Sequence, residues 1–276
     1  MNKFYSIARS PGVTGTYYYN SFFQSLKLKY RYEALQADRI EDLLDTLKDP
    51  SVSGISVSMP FKKQAVSLLD EADFSVEDTG SCNTIKVVNG KWIGYNTDLA
   101  GVRWAVANLP SSGRIQILGD GAMSSMFQKV LNLEGREFQV FSRSLGNWEG
   151  RSIGYEIAIN ATALGTISSE SPIELSDTLE YVVDLSLKPG ELHSGCLSRG
   201  IQYISGLEFY KNVFMAQFLT YVGERADPNL FDAFTTARKQ DSSKTPKQLV
   251  LSQVQGAQCK IPQTINGWRV PDSSYP

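Results

Sequence analysis

Cysteine and histidine are scarce in this sequence. Among 276 residues there are three cysteines, and His193 is the single histidine. Cys82, Cys196 and Cys259 are odd in number and form no CxxC pair, which argues against a disulfide framework and against structural zinc. One imidazole excludes a metal site of several histidines, and the absence of a GxSxG elbow disfavours a Ser-His-Asp hydrolase. We therefore predict reduced, mostly buried thiols and no metal cofactor.

The sequence also lacks a surplus of positive charge and a long apolar run. It has 27 Lys and Arg residues against 29 Asp and Glu residues, for a net charge of −2. No basic run is present to attract a phosphate backbone, so nucleic acid is not expected as a partner. Residues 1–6 lack a continuous apolar segment, and no stretch reaches the ~20 apolar residues of a membrane helix. These absences favour a cytoplasmic protein without a membrane segment.

The overall composition is typical of a globular α/β protein of two domains. Hydrophobic residues make up 42% and charged residues 20%, which excludes a collagenous or wholly disordered chain. Because compact domains usually hold roughly 100–200 residues, this length predicts two of them.

Strand and helix patterns alternate in the first hundred residues. The predicted strands are 3–8, 30–35 and 54–58, and the predicted helices are 16–27, 38–47 and 61–72. This alternation is typical of βαβ units and predicts a mainly parallel sheet. Pro60 suits the first turn of the third helix, so Lys62 and Lys63 are expected just inside it. Asn89-Gly90 predicts a hairpin turn between strands, and a helix at 99–109 follows.

The second half begins again with a strand at 114–118, a glycine turn and a helix that ends near 133. Further strands are predicted at 137–141, 156–160, 181–185 and 202–205, and helices at 207–221 and 229–239. This is a compact nucleotide-binding βαβ pattern. We predict a substrate domain of residues 1–109 with returning helices in 206–240, a Rossmann-type domain of 110–205, and a polar tail of 241–276.

The glycine turn after the strand at 114–118 carries a dinucleotide-binding pattern. Gly119 and Gly121 allow a tight turn and a close approach of the backbone to a pyrophosphate at a helix start. Asp120 between them counts against this interpretation if its carboxylate faces a phosphate. About twenty residues on, Arg143 stands between two serines where an NAD enzyme presents a carboxylate, so NADP is predicted over NAD. A solvated arginine at a strand end is the alternative.

Lysine, carboxylate and amide side chains follow predicted strands in the first domain. Lys62 could move a proton, while Asn83 and Asp98 could bind vicinal hydroxyls. Thr97 and Asp98 are also natural helix N-caps, so capping is the alternative role.

These segments, in this order and spacing, resemble the substrate domain of shikimate dehydrogenases. The matching segments are SVSMPFK at 56–62, SCNTI at 81–85 and GYNTD at 94–98. INATALG at 159–165, VDL at 183–185, and Gly206-Leu207 with Gln217 resemble the cofactor domain and closing helix of the same family. The ordered series covers roughly residues 3 to 240 and is more specific than any single segment.

The resemblance implies a site and a reaction. Lys62 and Asp98 would form the catalytic dyad, in which the lysine exchanges a proton with the reacting oxygen. Asn83, Thr97 and Gln217 would join Asp98 at the ring of the substrate. The residues implied for NADP are Gly119, Gly121, Ala122, Ser142, Arg143, Ser144, Thr162 and Gly206.

The sequence departs from the family where a substrate carboxylate is bound. The family carries a Ser-x-Ser pair before its first helix, and Val13 and Gly15 stand at those positions. A tyrosine after the strand at 181–185 is replaced by Leu187. Thr14, Thr16 or Tyr18 could take over the carboxylate if the loop is shifted.

Together these features predict an NADP-dependent oxidoreductase that reduces 3-dehydroshikimate or a related hydroxylated cyclic ketone. This would be a step of chorismate and aromatic amino acid biosynthesis. The expected partner is a small cyclic polyol or ketone, and the protein is expected as a monomer or homodimer. The alternative function is a non-catalytic NADP- or metabolite-binding regulatory protein on the same fold.

Overall fold

The structure, a computed structural model, describes residues 1–151, 154–165, 171–187 and 190–240. The predicted polar tail of 241–276 lies outside these residues. The strands are β1 (Asn2–Ala8), β2 (Tyr30–Gln36), β3 (Val52–Val57), β4 (Glu71–Ala72), β5 (Thr84–Val88), β6 (Lys91–Tyr95), β7 (Ile115–Leu118), β8 (Phe138–Phe141), β9 (Ile157–Asn160), β10 (Tyr181–Asp184) and β11 (Gln202–Ile204).

The α-helices are α1 (Thr14–Ser25), α2 (Leu44–Leu47), α3 (Phe74–Thr79), α4 (Asp98–Ala107), α5 (Ala122–Leu133), α6 (Glu191–Arg199), α7 (Gly206–Val222) and α8 (Pro228–Gln240). Short 3-10 helices occur at Ile40–Leu43, Gln64–Leu68 and Trp148–Gly150. Within the described ranges, none of the helices is both long and apolar enough to cross a membrane.

The described chain divides into two compact units. One contains Met1–Asp98 and the described residues from Phe214 onward, and the other contains Leu99–Val213. The boundaries therefore fall inside α4 and α7, whereas the sequence places its domain junctions after residues 109 and 205.

The first unit is built on a six-stranded mixed sheet in the order β2-β1-β3-β5-β6-β4. β1 pairs in parallel with β2 and β3, while β5 pairs antiparallel with β3 and β6. The predicted hairpin between β5 and β6 is confirmed. Asn89 and Gly90 have φ of 51° and 80°, the left-handed conformations that this turn requires.

Aromatic side chains attach α7 and α8 to the first unit. Tyr18 of α1 stacks on Phe231 of α8, with ring centroids 4.1 Å apart. Tyr19 and Phe22 of α1 pack on Phe214 of α7 at 4.6 and 5.0 Å. Each buried aromatic ring removes a large apolar surface from water, so these contacts hold the late helices against the first hundred residues.

The predicted helix at 61–72 is wrong. Residues 61–63 form a turn after the cis peptide Met59–Pro60, and only a 3-10 helix at Gln64–Leu68 follows. The Asp70 backbone N–H then donates to Trp92 O at 2.9 Å, and β4 pairs with β6. This strand pairing takes the backbone groups that a longer helix would need. Lys62 and Lys63 therefore lie in a turn.

The second unit contains a five-stranded parallel sheet in the order β11-β10-β9-β7-β8. Ile115, Ile117 and Ile159 pack on α5 on one face, and Leu118 and Val182 belong to the core on the other. A parallel sheet needs both faces covered, which explains why its strands read as short continuous apolar runs. The prediction of a two-part α/β fold with a Rossmann-type sheet is confirmed.

The two described cysteines, Cys82 and Cys196, are buried and free. Burial raises the pKa of both thiols to about 11, so neither is a thiolate at neutral pH. The prediction of buried thiols is confirmed for these two, and Cys259 lies outside the described residues.

Candidate active site

A lysine and an aspartate form the centre of a polar cluster in the first unit. Lys62 lies in the turn after β3, and Asp98 is the first residue of α4. Lys62 Nζ donates to Asp98 Oδ2 at 2.5 Å. The lysine side chain is 22% exposed and the aspartate side chain 10% exposed, so the pair is largely buried but still accessible to solvent. An ammonium has three N–H donors, and this contact uses one of them.

Asn83, just before β5, holds the second oxygen of the aspartate. Its Nδ2 donates to Asp98 Oδ1 at 2.9 Å. Its Oδ1 accepts from the Thr97 backbone N–H at 2.8 Å and from the Thr84 hydroxyl at 2.7 Å. Because the amide oxygen is occupied by donors, the amide nitrogen must face Asp98. The carboxylate is therefore fixed from both sides, by Lys62 and by Asn83.

Asn96 accepts a backbone hydrogen bond at the start of α4, the capping role that the sequence also allowed for Thr97 and Asp98. Asp98 N–H donates to Asn96 Oδ1 at 3.3 Å, so Asn96 caps the start of α4. The Asn96 amide in turn donates to Thr79 of α3 at 2.7 Å. The Asp98 carboxylate thus contacts Lys62 and Asn83 instead of the helix backbone. Sequence reasoning missed α3, which supports this cap.

Gln217 of α7 extends the cluster. Its Nε2 donates to Thr84 Oγ1 at 2.6 Å and to Asn83 O at 3.2 Å. Its Oε1 accepts from the Tyr19 hydroxyl at 2.6 Å and from Ser56 Oγ at 3.1 Å. The fold thus brings together the five residues predicted around the substrate ring and the dyad: Lys62, Asn83, Thr97, Asp98 and Gln217.

Tyr19 and two further tyrosines were not predicted as parts of this cluster. Ser56 accepts from the Tyr32 hydroxyl at 2.6 Å and contacts the Tyr221 hydroxyl at 2.8 Å. Burial raises the pKa of Tyr32 to about 12, so this phenol stays neutral and donates. The available signal was Ser56, a polar residue within the buried strand β3.

Thr14 and Thr16 lie at the start of α1, beside the exposed Val13. Val13 is 72% exposed and provides no side-chain cap to the helix. The two threonines are partly exposed, and their hydroxyls form no hydrogen bond within the described part of the chain. They are thus available donors, but the structure does not connect them to Lys62 or Asp98 by any hydrogen bond.

In the second unit, the predicted cofactor residues follow the carboxyl ends of parallel strands. Gly119 follows β7 with φ of 100°, and a Cβ there would lie 3.1 Å from Thr162. Gly121 precedes α5, and a Cβ there would meet no atom within 4 Å. Open space at the amino end of a helix fits the close approach of a pyrophosphate. Ala122 is the first residue of that helix.

The segment after β8 is stabilised by hydrogen bonds of Ser142 within the segment. Ser142 Oγ accepts from Leu145 N–H at 3.1 Å and contacts Ser144 Oγ at 2.9 Å. The Arg143 guanidinium lies 5.7 Å from the centre of the Trp148 ring. Ser142 is buried, whereas Arg143 and Ser144 are exposed. The latter two are therefore accessible to a ligand.

Thr162 and Gly206 have local structural roles at the same edge of the sheet. Thr162 Oγ1 donates to Asn160 Oδ1 at 2.6 Å and shapes the loop after β9. Asn160 also donates to the buried Asp184 at 2.9 Å. A Cβ on Gly206 would lie 2.3 Å from Ser186 O, so only glycine fits the start of α7 here.

Gly206→Ala is therefore expected to lower the free energy of unfolding by about 3 kcal/mol, because the clash is with backbone. Gly121→Ala is the matched control and is expected to cost less than about 1 kcal/mol, since the added methyl meets open space. Chemical denaturation of both variants measures this difference. Equal losses would contradict the assigned packing role of Gly206.

One unit is of the Rossmann type with a glycine turn, and the other contains a shielded Lys–Asp pair. Together these features define a class of two-unit α/β proteins. Comparison with known proteins shows which family within this class the chain resembles. Residues 8–85 match the shikimate dehydrogenase substrate binding domain. This match and the relatives described next confirm the resemblance to shikimate dehydrogenases noted in the sequence.

Individual relatives support this assignment. The chain is 32% identical over 178 residues to the shikimate dehydrogenase (NADP(+)) of Oceanobacillus iheyensis, an alignment that covers 61% of this chain and 62% of the relative. It is 25% identical over 249 residues to a shikimate dehydrogenase-like protein of Haemophilus influenzae, covering 82% and 92%. The fold is similar to that of Thermus thermophilus shikimate 5-dehydrogenase in complex with NADP(H) and shikimate. That comparison has a TM-score of 0.74 and 23% identity, and covers 86% of this chain and 99% of the other.

Proposed function

We propose that this protein is an NADP-dependent dehydrogenase of the shikimate dehydrogenase type that reduces a keto group on a hydroxylated ring. The observation that carries the proposal is the Asp98 carboxylate held by Lys62 and Asn83. The names of relatives such as the shikimate dehydrogenase (NADP(+)) of Oceanobacillus iheyensis support both the reaction class and the cofactor. If the substrate is 3-dehydroshikimate, the protein acts in the cytoplasm. Its reaction is then a step of aromatic amino acid biosynthesis, on the route to chorismate.

Lys62 would transfer the proton in this reaction. In reduction, the Lys62 ammonium gives a proton to the carbonyl oxygen, and in oxidation the neutral amine takes it from the hydroxyl. Asp98 Oδ2 holds Nζ in place, and Asn83 holds Asp98. When bound, the nicotinamide supplies or accepts the hydride at the ring carbon. Asn83 and Asp98 also offer amide and carboxylate groups suited to neighbouring ring hydroxyls.

The second unit fits a dinucleotide at the edge where its strands end. Backbone amides after Gly119 and at the start of α5 would hold the pyrophosphate, because the space beside Gly121 is open. Arg143 and Ser144, which are exposed, would face the 2′-phosphate, while the buried Ser142 would hold their segment in shape. The loop that contains Thr162 and the backbone at Gly206 would form the rest of the cofactor site. We thus propose a substrate-binding role for the first unit and a cofactor-binding role for the second, as the sequence predicts.

The activity is tested by following NADPH absorbance with a panel of cyclic ketones. Consumption of NADPH is expected with ring ketones that carry neighbouring hydroxyls, and little is expected with cyclohexanone. Binding of NADPH without turnover of any ring ketone would reject the proposed reaction in favour of a regulatory role.

Arg143→Ala is expected to weaken NADPH binding by roughly ten- to a hundredfold, because it removes a charge-assisted contact of about 1.5–3 kcal/mol with the 2′-phosphate. NADH binding should change little, because NADH has no such phosphate. Titration of cofactor fluorescence gives both dissociation constants. Arg114→Ala is a matched control, since Arg114 pairs with Glu156 at the opposite, amino end of β7. Equal weakening of NADPH and NADH binding would show that Arg143 does not contact the 2′-phosphate.

A further inference from the structure

Asp120 makes an unexpected contact between two strands of the second unit. It lies in the glycine turn after β7, and its carboxylate accepts a hydrogen bond from the hydroxyl of Ser144, in the segment after β8. β7 and β8 are adjacent and parallel, with Leu118 paired to Phe141. The carboxylate therefore reaches from the proposed pyrophosphate turn to the proposed ribose segment.

The charge of Asp120 is not neutralised by a neighbouring side chain. Within the described part of the chain, no basic residue forms an ion pair with this carboxylate. Asp120 is also exposed. The Asp120 carboxylate therefore keeps its negative charge while it contacts Ser144, the residue that follows Arg143. Arg143 and Asp120 would then act on a 2′-phosphate in opposite directions.

We infer that Asp120 is a specificity-determining residue that limits the preference for NADP(H) and allows NAD(H) to bind as well. The inference rests on the proposed function of this edge as a dinucleotide site. A carboxylate accepts hydrogen bonds from the ribose hydroxyls of NAD and repels the 2′-phosphate of NADP. Here that carboxylate comes from the glycine turn instead of the end of β8, where dinucleotide-binding folds usually place it.

A purely structural role is the competing explanation, because Asp120 also holds Ser144. Two variants separate the effect of charge from that of the hydrogen bond, and a third variant controls for net charge. Asp120→Asn keeps an acceptor for the Ser144 hydroxyl but removes the charge. Ser144→Ala keeps the charge but removes the hydrogen bond. Glu134→Gln removes one negative charge at the far end of α5, roughly 18 Å along the helix, and controls for net charge.

The experiment is titration of each variant with NADPH and with NADH, followed by cofactor fluorescence at two salt concentrations. Asp120→Asn is expected to tighten NADPH about three- to tenfold, without tightening NADH, because one charge repulsion is removed. The gain should shrink at high salt, which screens the repulsion. Glu134→Gln should leave both constants unchanged, and Ser144→Ala should not reproduce the gain in NADPH affinity.

The outcomes distinguish this inference from the function on which it rests. If the unmodified protein binds neither cofactor, the proposed function fails and the inference fails with it. If it binds NADPH but Asp120→Asn leaves the ratio of the two dissociation constants unchanged, or weakens NADPH, only the inference is overturned. A salt-independent gain would also overturn it, since electrostatic repulsion would not be the cause.

Discussion

Lys62→Ala is expected to lower kcat by roughly 10²–10⁴-fold, the usual cost of removing a proton-transfer group. Lys62 Nζ, which lies 2.5 Å from Asp98 Oδ2, is the proposed proton donor. Neither Asp98 nor Asn83 has an ammonium group that could replace it. NADPH affinity should be unchanged, since the predicted cofactor residues belong to the other unit. Steady-state kinetics together with NADPH titration test both parts of this expectation.

Lys63→Ala is the matched control for that variant. Lys63 is the next residue in the same turn and is exposed, whereas Lys62 is partly buried against Asp98. Its replacement should leave kcat within about twofold, as for surface substitutions away from a site. Thermal unfolding of both variants excludes loss of the fold as the cause. Inactivation by Lys63→Ala instead of Lys62→Ala would place the catalytic lysine one residue later.

Local signals predicted much of the fold because they act over a few residues. Asn89-Gly90 has the conformation that its hairpin turn demands, and the glycine turn at Gly119 lies between β7 and α5 as expected. α3 was missed although Asp73 caps its start and Gly80 ends it with φ of 61°. A helix of six residues is too short to show an apolar period.

The contacts within the site could not be predicted in the same way. The Tyr19–Gln217 bond joins residues 198 positions apart, and the Ser56–Gln217 bond joins residues 161 apart. No pattern of spacing encodes such pairs, because they depend on where α7 returns to the first unit. The family resemblance placed Gln217 at the site, but only the structure shows that both ends of its amide are bonded to protein groups.

These hydrogen bonds of Gln217 bear on how the proposed site would recognise a ring. Gln217 donates to Asn83 O and Thr84 Oγ1, so it supports the residue that holds Asp98. A substrate hydroxyl that contacts Gln217 must therefore share or displace one of these bonds. Under the proposed function, Asn83 and Asp98 would still bind the hydroxyl-bearing side of the ring, with Gln217 supporting them. The sequence departs from the family at the residues that the resemblance assigns to a substrate carboxylate, so we expect any difference in substrate to lie there.

Shikimate itself is expected to be a poor substrate. The resemblance implies that Val13, Gly15 and Leu187 replace hydroxyl donors that the family uses for the carboxylate, and none of these side chains can donate. A carboxylate bound there would give up hydrogen bonds to water without replacement. Each lost bond to a charged group is worth about 1.5–3 kcal/mol, so KM should rise by two or more orders of magnitude, although such losses are not strictly additive.

A ring polyol with a different or less charged substituent should be preferred. Steady-state oxidation of shikimate, quinate and carboxylate-free cyclitols with NADP measures this preference. Restoring the donors gives the converse test. The double variant Val13→Ser, Gly15→Ser should lower KM for shikimate about tenfold or more and leave the cyclitols unaffected, since each serine offers one O–H to a charged group.

Thr14 and Thr16 could instead bind the carboxylate, because their hydroxyls have no partner within the described residues. Shikimate turnover with a KM in the ordinary micromolar range, abolished by Thr14→Ala or Thr16→Val, would assign the carboxylate to these threonines and make shikimate the substrate.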